Sequence, residues 1–410
     1  MPSVQLFCWH FMAYPHLPED FDDNYETSWA TLPNALWDAE KTDGLYQEYI
    51  DQLVYADELG FDGLTLNEHH QTAYGLMPSP NMIAAALTQR TSNAKICVLG
   101  NLVPLHGNPM RIAEEYAMLD NMSGGRLIAG FAVGSGPEAF TYNVPQPQAR
   151  ERFWEGLDLI VRAWTEDGPF EHEGRNYPLR YVNLWPKPKQ KPHPPVWVPG
   201  GMSIDTMHQL AKRGYDYFLS LRTHGRVTQR AVKGFADVLE THGDKFQPYR
   251  MGLLMSVYVA ETDEQAREEA EEGVWYFLRY MLKGHLRREG RQFTFGPGVN
   301  SQSVDTWERY LQNNDPSSPL LGDLQNWDEV DAAGAIIVGS PETVRRRLWD
   351  LLEMTEVGNL LIQFHLGNMR DDLVRNSMKL FAEQVAPALK RDSTEMFARK
   401  YPELGEGDPS

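Results

Sequence analysis

Eight short apolar runs, separated by longer segments with helical spacing, constrain this chain more than any other feature. The runs cover residues 4–9, 62–66, 95–100, 126–132, 195–199, 216–221, 253–260 and 359–365. They are mostly continuous rather than alternating, the pattern of strands buried on both faces of a parallel sheet. Helical segments lie between them. One covers 46–59 and is closed by Gly60. Another opens at Asn108-Pro109, with Asn108 as cap and Pro109 in the first position. Ile112, Tyr116 and Leu119 then fall on one stripe, and Gly124-Gly125 stops the helix. Strand, helix, strand repeated eight times favours a closed (β/α)8 barrel, the TIM-barrel class of α/β fold. A doubly wound open sheet is the competitor.

The chain has 410 residues, and a minimal barrel needs about 250. Three insertions account for much of the excess: 13–43, 167–194 and 285–335, each rich in polar residues, Pro or Gly. Insertions in such barrels tend to shape the active-site mouth. The expected organisation is one barrel domain over 1–390, followed by a mobile tail over 391–410 that ends in GEGDPS.

Composition excludes several classes of partner. A net charge of −19 repels phosphate backbones and anionic membranes, so no nucleic acid and no membrane are expected. A small anion can still bind where local amides and dipoles outweigh a distant net charge. The two cysteines, Cys8 and Cys97, sit in apolar runs and read as buried side chains rather than a disulfide or zinc site. The N-terminal residues lack a basic, then apolar, signal pattern, and no run reaches 18 apolar residues. A cytoplasmic location is the resulting expectation.

In a parallel barrel, chemistry sits at the C-terminal ends of strands. After the second run come Asn67, Glu68, His69 and His70. Histidine is suited to acid–base work near neutral pH. A structural role or a metal pair are the alternatives, though adjacent residues point in opposite directions on a strand, so both histidines rarely hold one ion. After the third run, Gly100-Asn101 suits a backbone that approaches a flat ligand closely, or an ordinary turn.

After the fifth run, Gly200-Gly201-Met202-Ser203 leads into a helix through Thr206. Such a turn presents backbone N–H groups to a phosphate, and Ser203 and Thr206 add hydroxyls. Asp205 has the wrong sign for an anion site. Ser340-Pro341-Glu342-Thr343 opens another helix, but there Glu342 already complements the dipole. The start at 203 is therefore the better anion site. Neither a GxxxxGK[ST] loop nor a GxGxxG after the first strand is present.

The segments ADELGFDGLTLNEHHQTAYGLMPSP, LGNLVPLHGNPMRIAEEYAMLDNMSGGRLIAGF and IIVGSPETVRRRL together resemble the bacterial luciferase-like family of flavin monooxygenases. The resemblance spans roughly residues 4–215 and 335–390. It implies a dimeric barrel that uses reduced FMN as co-substrate, O2, and a separate NAD(P)H:flavin reductase. It implies that His69 is the family's active-site histidine, with Glu68 and His70 as catalytic residues beside it. It implies a non-prolyl cis peptide under the flavin at Gly100-Asn101. It places the phosphate on the 200–206 turn, with Ser203 and Thr206 as hydroxyl donors and Arg150, with Arg152 nearby, as the assisting cation. The chain departs from bacterial luciferase at Ala132-Val133, where luciferase has Cys-Arg, and in the 13–43 insertion. Light emission with a long-chain aldehyde is therefore not implied.

The mechanism implied is oxygenation of a small organic substrate through a flavin C4a-peroxide, with His69 as acid or base. Trp29, Leu32, Leu36 and Trp37 in the first insertion favour an apolar substrate. The rivals are a deazaflavin- or flavin-dependent dehydrogenase on the same fold, a metal-dependent barrel hydrolase using His69 and His70, and a non-catalytic flavin-binding protein.

Overall fold

The computed structural model describes residues 2–219, 225–282, 321, 324–334 and 336–405. Its strands, in chain order, are β1 Gln5–Trp9, β2 Gly63–Leu66, β3 Lys95–Leu102, β4 Leu127–Ala132, β5 Phe170–Glu173, β6 Pro178–Val182, β7 Val196–Gly200, β8 Asp216–Leu219, β9 Met251–Val259, β10 Ile336–Gly339 and β11 Asn359–Gln363. Among the described residues, eight of them close a parallel barrel in the order β1-β2-β3-β4-β7-β8-β9-β11, with β11 pairing back onto β1. All eight come from the apolar runs. Ser220 and Leu221, the end of the sixth run, lie outside the described residues.

Two strand features go beyond the eight-strand reading. β10 pairs in parallel with the C-terminal half of β9, from Ser256 to Val259. The 167–194 insertion contains an antiparallel hairpin of β5 and β6. Most of the 285–335 insertion lies outside the described residues; the helix Trp327–Ala333 within it leads into β10.

The expected mobile tail is corrected over its first half. A helix runs from Ala386 to Lys400. It is anchored because Leu389, Ser393, Met396 and Phe397 are buried and Val4 N donates to Ser393 Oγ at 2.9 Å. Apolar burial along one stripe outweighs the polar composition of the residues around it.

Side-chain alternation defines the barrel interior. Phe7 lies 5.3 Å from Trp197 of β7, a contact that reaches across the barrel because β2, β3 and β4 separate the two strands on the near side. Gly63 shares this inward face: a Cβ there would sit 2.2 Å from the Phe7 ring. Phe7, Trp9 and Phe11 therefore line one inward row, with Gly63, Thr65, Asn67 and His69 on the next. Cys8 and Cys97 are both buried free thiols, and burial pushes the Cys8 thiol up to about 12. No described helix is long and apolar enough to cross a membrane.

Candidate active site

His69 lies just past the end of β2, on the inward row. Its ring stacks over Phe11 at 6.2 Å and meets Trp29 and Tyr74 edge-on at 5.2 and 5.0 Å. Its Nδ1 is 2.7 Å from Glu138 Oε1. Glu138 stands in the first turn of the helix Gly136–Thr141 after β4, where its other oxygen accepts Ser135 N–H at 2.7 Å. Burial pushes the Glu138 carboxyl up, but the hydrogen bond and charge of His69 and the Ser135 contacts outweigh it and hold the group below its ordinary value. An ionised carboxylate only accepts, so Nδ1 of His69 carries the proton. Nε2 is left to exchange a proton with a ligand. With a fifth of its side chain exposed, His69 can do so inside an aromatic pocket.

Glu68 and His70 take the opposite direction, which corrects their placement beside His69 at the mouth. Glu68 Oε1 is 2.7 Å from His70 Nε2, and its Oε2 accepts Leu102 N–H at 3.1 Å. The far nitrogen of His70 is 2.8 Å from the Tyr142 hydroxyl. Burial raises the Glu68 carboxyl, while His106 and His70 more than reverse it, leaving the group lowered. The chain Tyr142–His70–Glu68–Leu102 thus ties the end of β3 to the loop after β2. Because His69 and His70 are bonded to different carboxylates, they do not converge on one ion.

The irregular end of β3 has a clear steric cause. The register against β4 shifts between Val98 and Asn101. A Cβ on Gly100 would lie 2.4 Å from the Gly130 carbonyl carbon, and one on Gly130 would lie 2.2 Å from Val98 O. Only paired glycines permit that approach. Among the described residues the non-prolyl cis peptide bond is Leu99–Gly100, one bond earlier than the resemblance implied for Gly100-Asn101. The Asn101 side chain is buried and exchanges hydrogen bonds with Asn81 at 2.9 and 3.2 Å, so its amide is already satisfied.

The turn after β7 leads into the helix Ile204–Arg213. Met207, Leu210 and Ala211 are buried on one face, and Lys212 and Arg213 complement its C-terminus. Ser203 caps it, accepting Thr206 N–H at 3.4 Å. Met202 has a φ of 69° and its N–H is taken by the Tyr217 hydroxyl at 2.7 Å. That corrects the expectation of a free Met202 amide. The N–H groups of Ile204 and Asp205, in the first turn, have no intrahelical acceptor. Arg150 Nη1 lies 3.4 Å from Ser203 Oγ, 3.3 Å from Thr206 Oγ1 and 3.9 Å from the Asp205 carboxylate. Arg152 instead lies over the Tyr177 ring, so the structure brings Arg150, not Arg152, to this turn. Two hydroxyls, open amides and a guanidinium form a donor set suited to a phosphate. The exposed Asp205 side chain brings an opposing charge to this turn.

Glu138 is the residue that sequence reading missed. Its local signal, a Ser-x-x-Glu helix start after β4, was present, but its reach to His69 is non-local. Of the insertion residues expected to meet an apolar substrate, Trp29 is buried against His69, whereas Trp37 is half-exposed and stacks on Tyr14 at 5.4 Å.

Residues 30–355 match a family model described as luciferase-like monooxygenase. The chain belongs to that family. An uncharacterized protein of Sinorhizobium fredii is 35% identical over 345 residues, covering 82% of this chain and 92% of its own length. The oxygenase component of a flavin-dependent trigonelline monooxygenase from Acinetobacter baylyi is 28% identical over 245 residues, covering 57% of this chain and 66% of its own. Among solved structures, a type II Baeyer–Villiger monooxygenase of Pseudomonas putida, in complex with FMN, superposes with a TM-score of 0.71. It covers 94% of this chain and 98% of that one at 19% identity, a likeness of fold. This member of the luciferase-like monooxygenase family is built on a (β/α)8 barrel.

Proposed function

We propose that this chain is the oxygenase component of a two-component monooxygenase that uses reduced FMN and O2 to oxygenate a small, largely apolar organic molecule. The observation that carries the reading is the pairing of two features on one barrel face. An open anion-binding helix start follows β7, and a carboxylate-oriented histidine in an aromatic pocket follows β2. The kinship with a trigonelline oxygenase component supports a separate NAD(P)H:flavin reductase as electron source.

Reduced FMN supplies the electrons that activate O2; one oxygen atom enters the substrate and the other leaves as water. The protein's part is positional. Ser203, Thr206, Arg150 and the open amides hold the phosphate. Gly100 and Gly130 let the end of β3 approach β4 closely. Phe11, Trp29 and Tyr74 keep water from the His69 ring. Glu138 fixes the proton on Nδ1, so Nε2 gives or takes a proton during turnover.

His69→Ala should lower product formation by about a hundredfold or more while leaving FMN affinity nearly intact. Turnover with purified reductase, alongside FMN titration, reads both. Unchanged turnover removes His69 from the chemistry, and oxygen uptake distinguishes the monooxygenase from a hydride-transferring dehydrogenase.

The proposal includes a homodimer. Met82, Met118 and Met122 stand 72%, 50% and 42% exposed on the neighbouring helices Pro80–Arg90 and Met110–Met122, apolar side chains that a subunit interface would cover. Sedimentation equilibrium should return twice the chain mass; the single-chain mass would remove this part.

A further inference from the structure

A buried amide on the barrel's inward row has no partner. Asn67 is 4% exposed, and neither its Oδ1 nor its Nδ2 has a hydrogen bond. It sits one inward step below His69 on the β2 side. On the adjacent β1 row, Trp9 is also 4% exposed, and its indole Nε1 likewise has no partner. The Trp9 ring is held between Phe11 at 5.3 Å and Phe218 at 5.8 Å, the latter stacked at 10°. By register, Trp9 is opposite Thr65, so Asn67 is its diagonal neighbour. The two side chains thus occupy neighbouring inward rows of the upper barrel interior, with Asn67 one step below the histidine.

An unpaired buried amide costs stability, and such a cost at the mouth of a site points to a ligand that repays it. The chemistry of that ligand follows from what is unmet. Trp9 offers a donor, and Asn67 offers a donor and an acceptor. A ketone or alkene would leave Asn67 Oδ1 unmet. An imide edge, with one N–H between two carbonyls, meets all three groups.

We infer that the Asn67 carboxamide, backed by the Trp9 indole N–H, receives the imide edge of the flavin ring (C2=O, N3–H, C4=O). The inference rests on the flavin reading above and adds to it the residue that reads the ring rather than the phosphate. It also implies that Asn67 is kept for binding at the expense of the ligand-free fold.

Two measurements test it: titration with oxidised FMN and with 3-methyl-FMN, which lacks the N3 proton, and thermal unfolding of the ligand-free chain. The unaltered protein should prefer FMN over 3-methyl-FMN by about tenfold or more. Asn67→Leu should weaken FMN by about ten- to a hundredfold, narrow the preference, and raise the ligand-free melting temperature. A merely structural Asn67 would lower that temperature. Equal affinity of the unaltered protein for the two flavins overturns the inference without any variant. So does unchanged FMN affinity in Asn67→Leu, which leaves the flavin reading standing. If the unaltered chain binds no FMN, both fall, and that result is distinct from the other two.

Discussion

Two helices of this barrel begin with the same chemistry and end up with different neighbours. Ser203-Ile204-Asp205-Thr206 and Ser340-Pro341-Glu342-Thr343 each cap with serine and carry threonine three residues on. In both, the serine hydroxyl accepts the threonine N–H at 3.4 Å. At the second start, the Asp263 carboxylate accepts Ser340 N–H at 2.6 Å and the Thr343 hydroxyl at 2.9 Å. The Ser340 N–H bond is the main reason its carboxyl lies below its ordinary value. A cleft of about 460 Å³ beside it is lined by Arg267, Asp331 and Arg347, which pair with one another. The protein has supplied its own anion there. At the first start, the same hydroxyls face Arg150. The difference shows that an unfilled helix start is recognised by what surrounds it, since the cap residues alone are shared.

The contrast can be broken by experiment. Ser203→Ala with Thr206→Ala should weaken FMN binding by about 3–6 kcal/mol, at about 1.5–3 kcal/mol for each charge-assisted contact; isothermal titration reads the loss, and an unchanged constant would refute the site. Arg150→Ala should have a smaller effect, about tenfold, because the side chain is more than half exposed. Its contribution should shrink further as salt is raised, and a salt-independent loss would point to packing instead. Smallest for the flavin is Ser340→Ala with Thr343→Ala. FMN affinity should stay unchanged, while stability falls by about 1–2 kcal/mol through the lost cap. Denaturant melts with matched titrations separate these outcomes.

Much of this was legible in the sequence, for reasons that differ by residue. The barrel strands were readable because burial on both faces forces continuous apolar runs, and periodicity needs no partner. His69, Ser203 and Thr206 were readable because the fold delivers strand ends to one face. Glu138 was not, since its pairing with His69 joins β2 and β4 loops that only the closed barrel brings together. The same holds for Asp263, which completes the 340 start from 77 residues away. Asn67 was read only as the start of a polar cluster; that its amide lacks partners depends on every neighbour in the barrel. The terminal helix was not legible because its buried stripe, Leu389, Ser393 and Met396, is sparse among polar residues and gains its burial only from the closed barrel.

The comparison of FMN with riboflavin, which lacks only the phosphate, tests the central claim most directly. The unaltered protein should hold FMN far more tightly than riboflavin, the preference should collapse in the Ser203→Ala, Thr206→Ala variant, and it should survive intact in the Ser340→Ala, Thr343→Ala variant. A preference for FMN that persists when Ser203 and Thr206 are gone, or that disappears with Ser340 and Thr343 instead, would contradict the account.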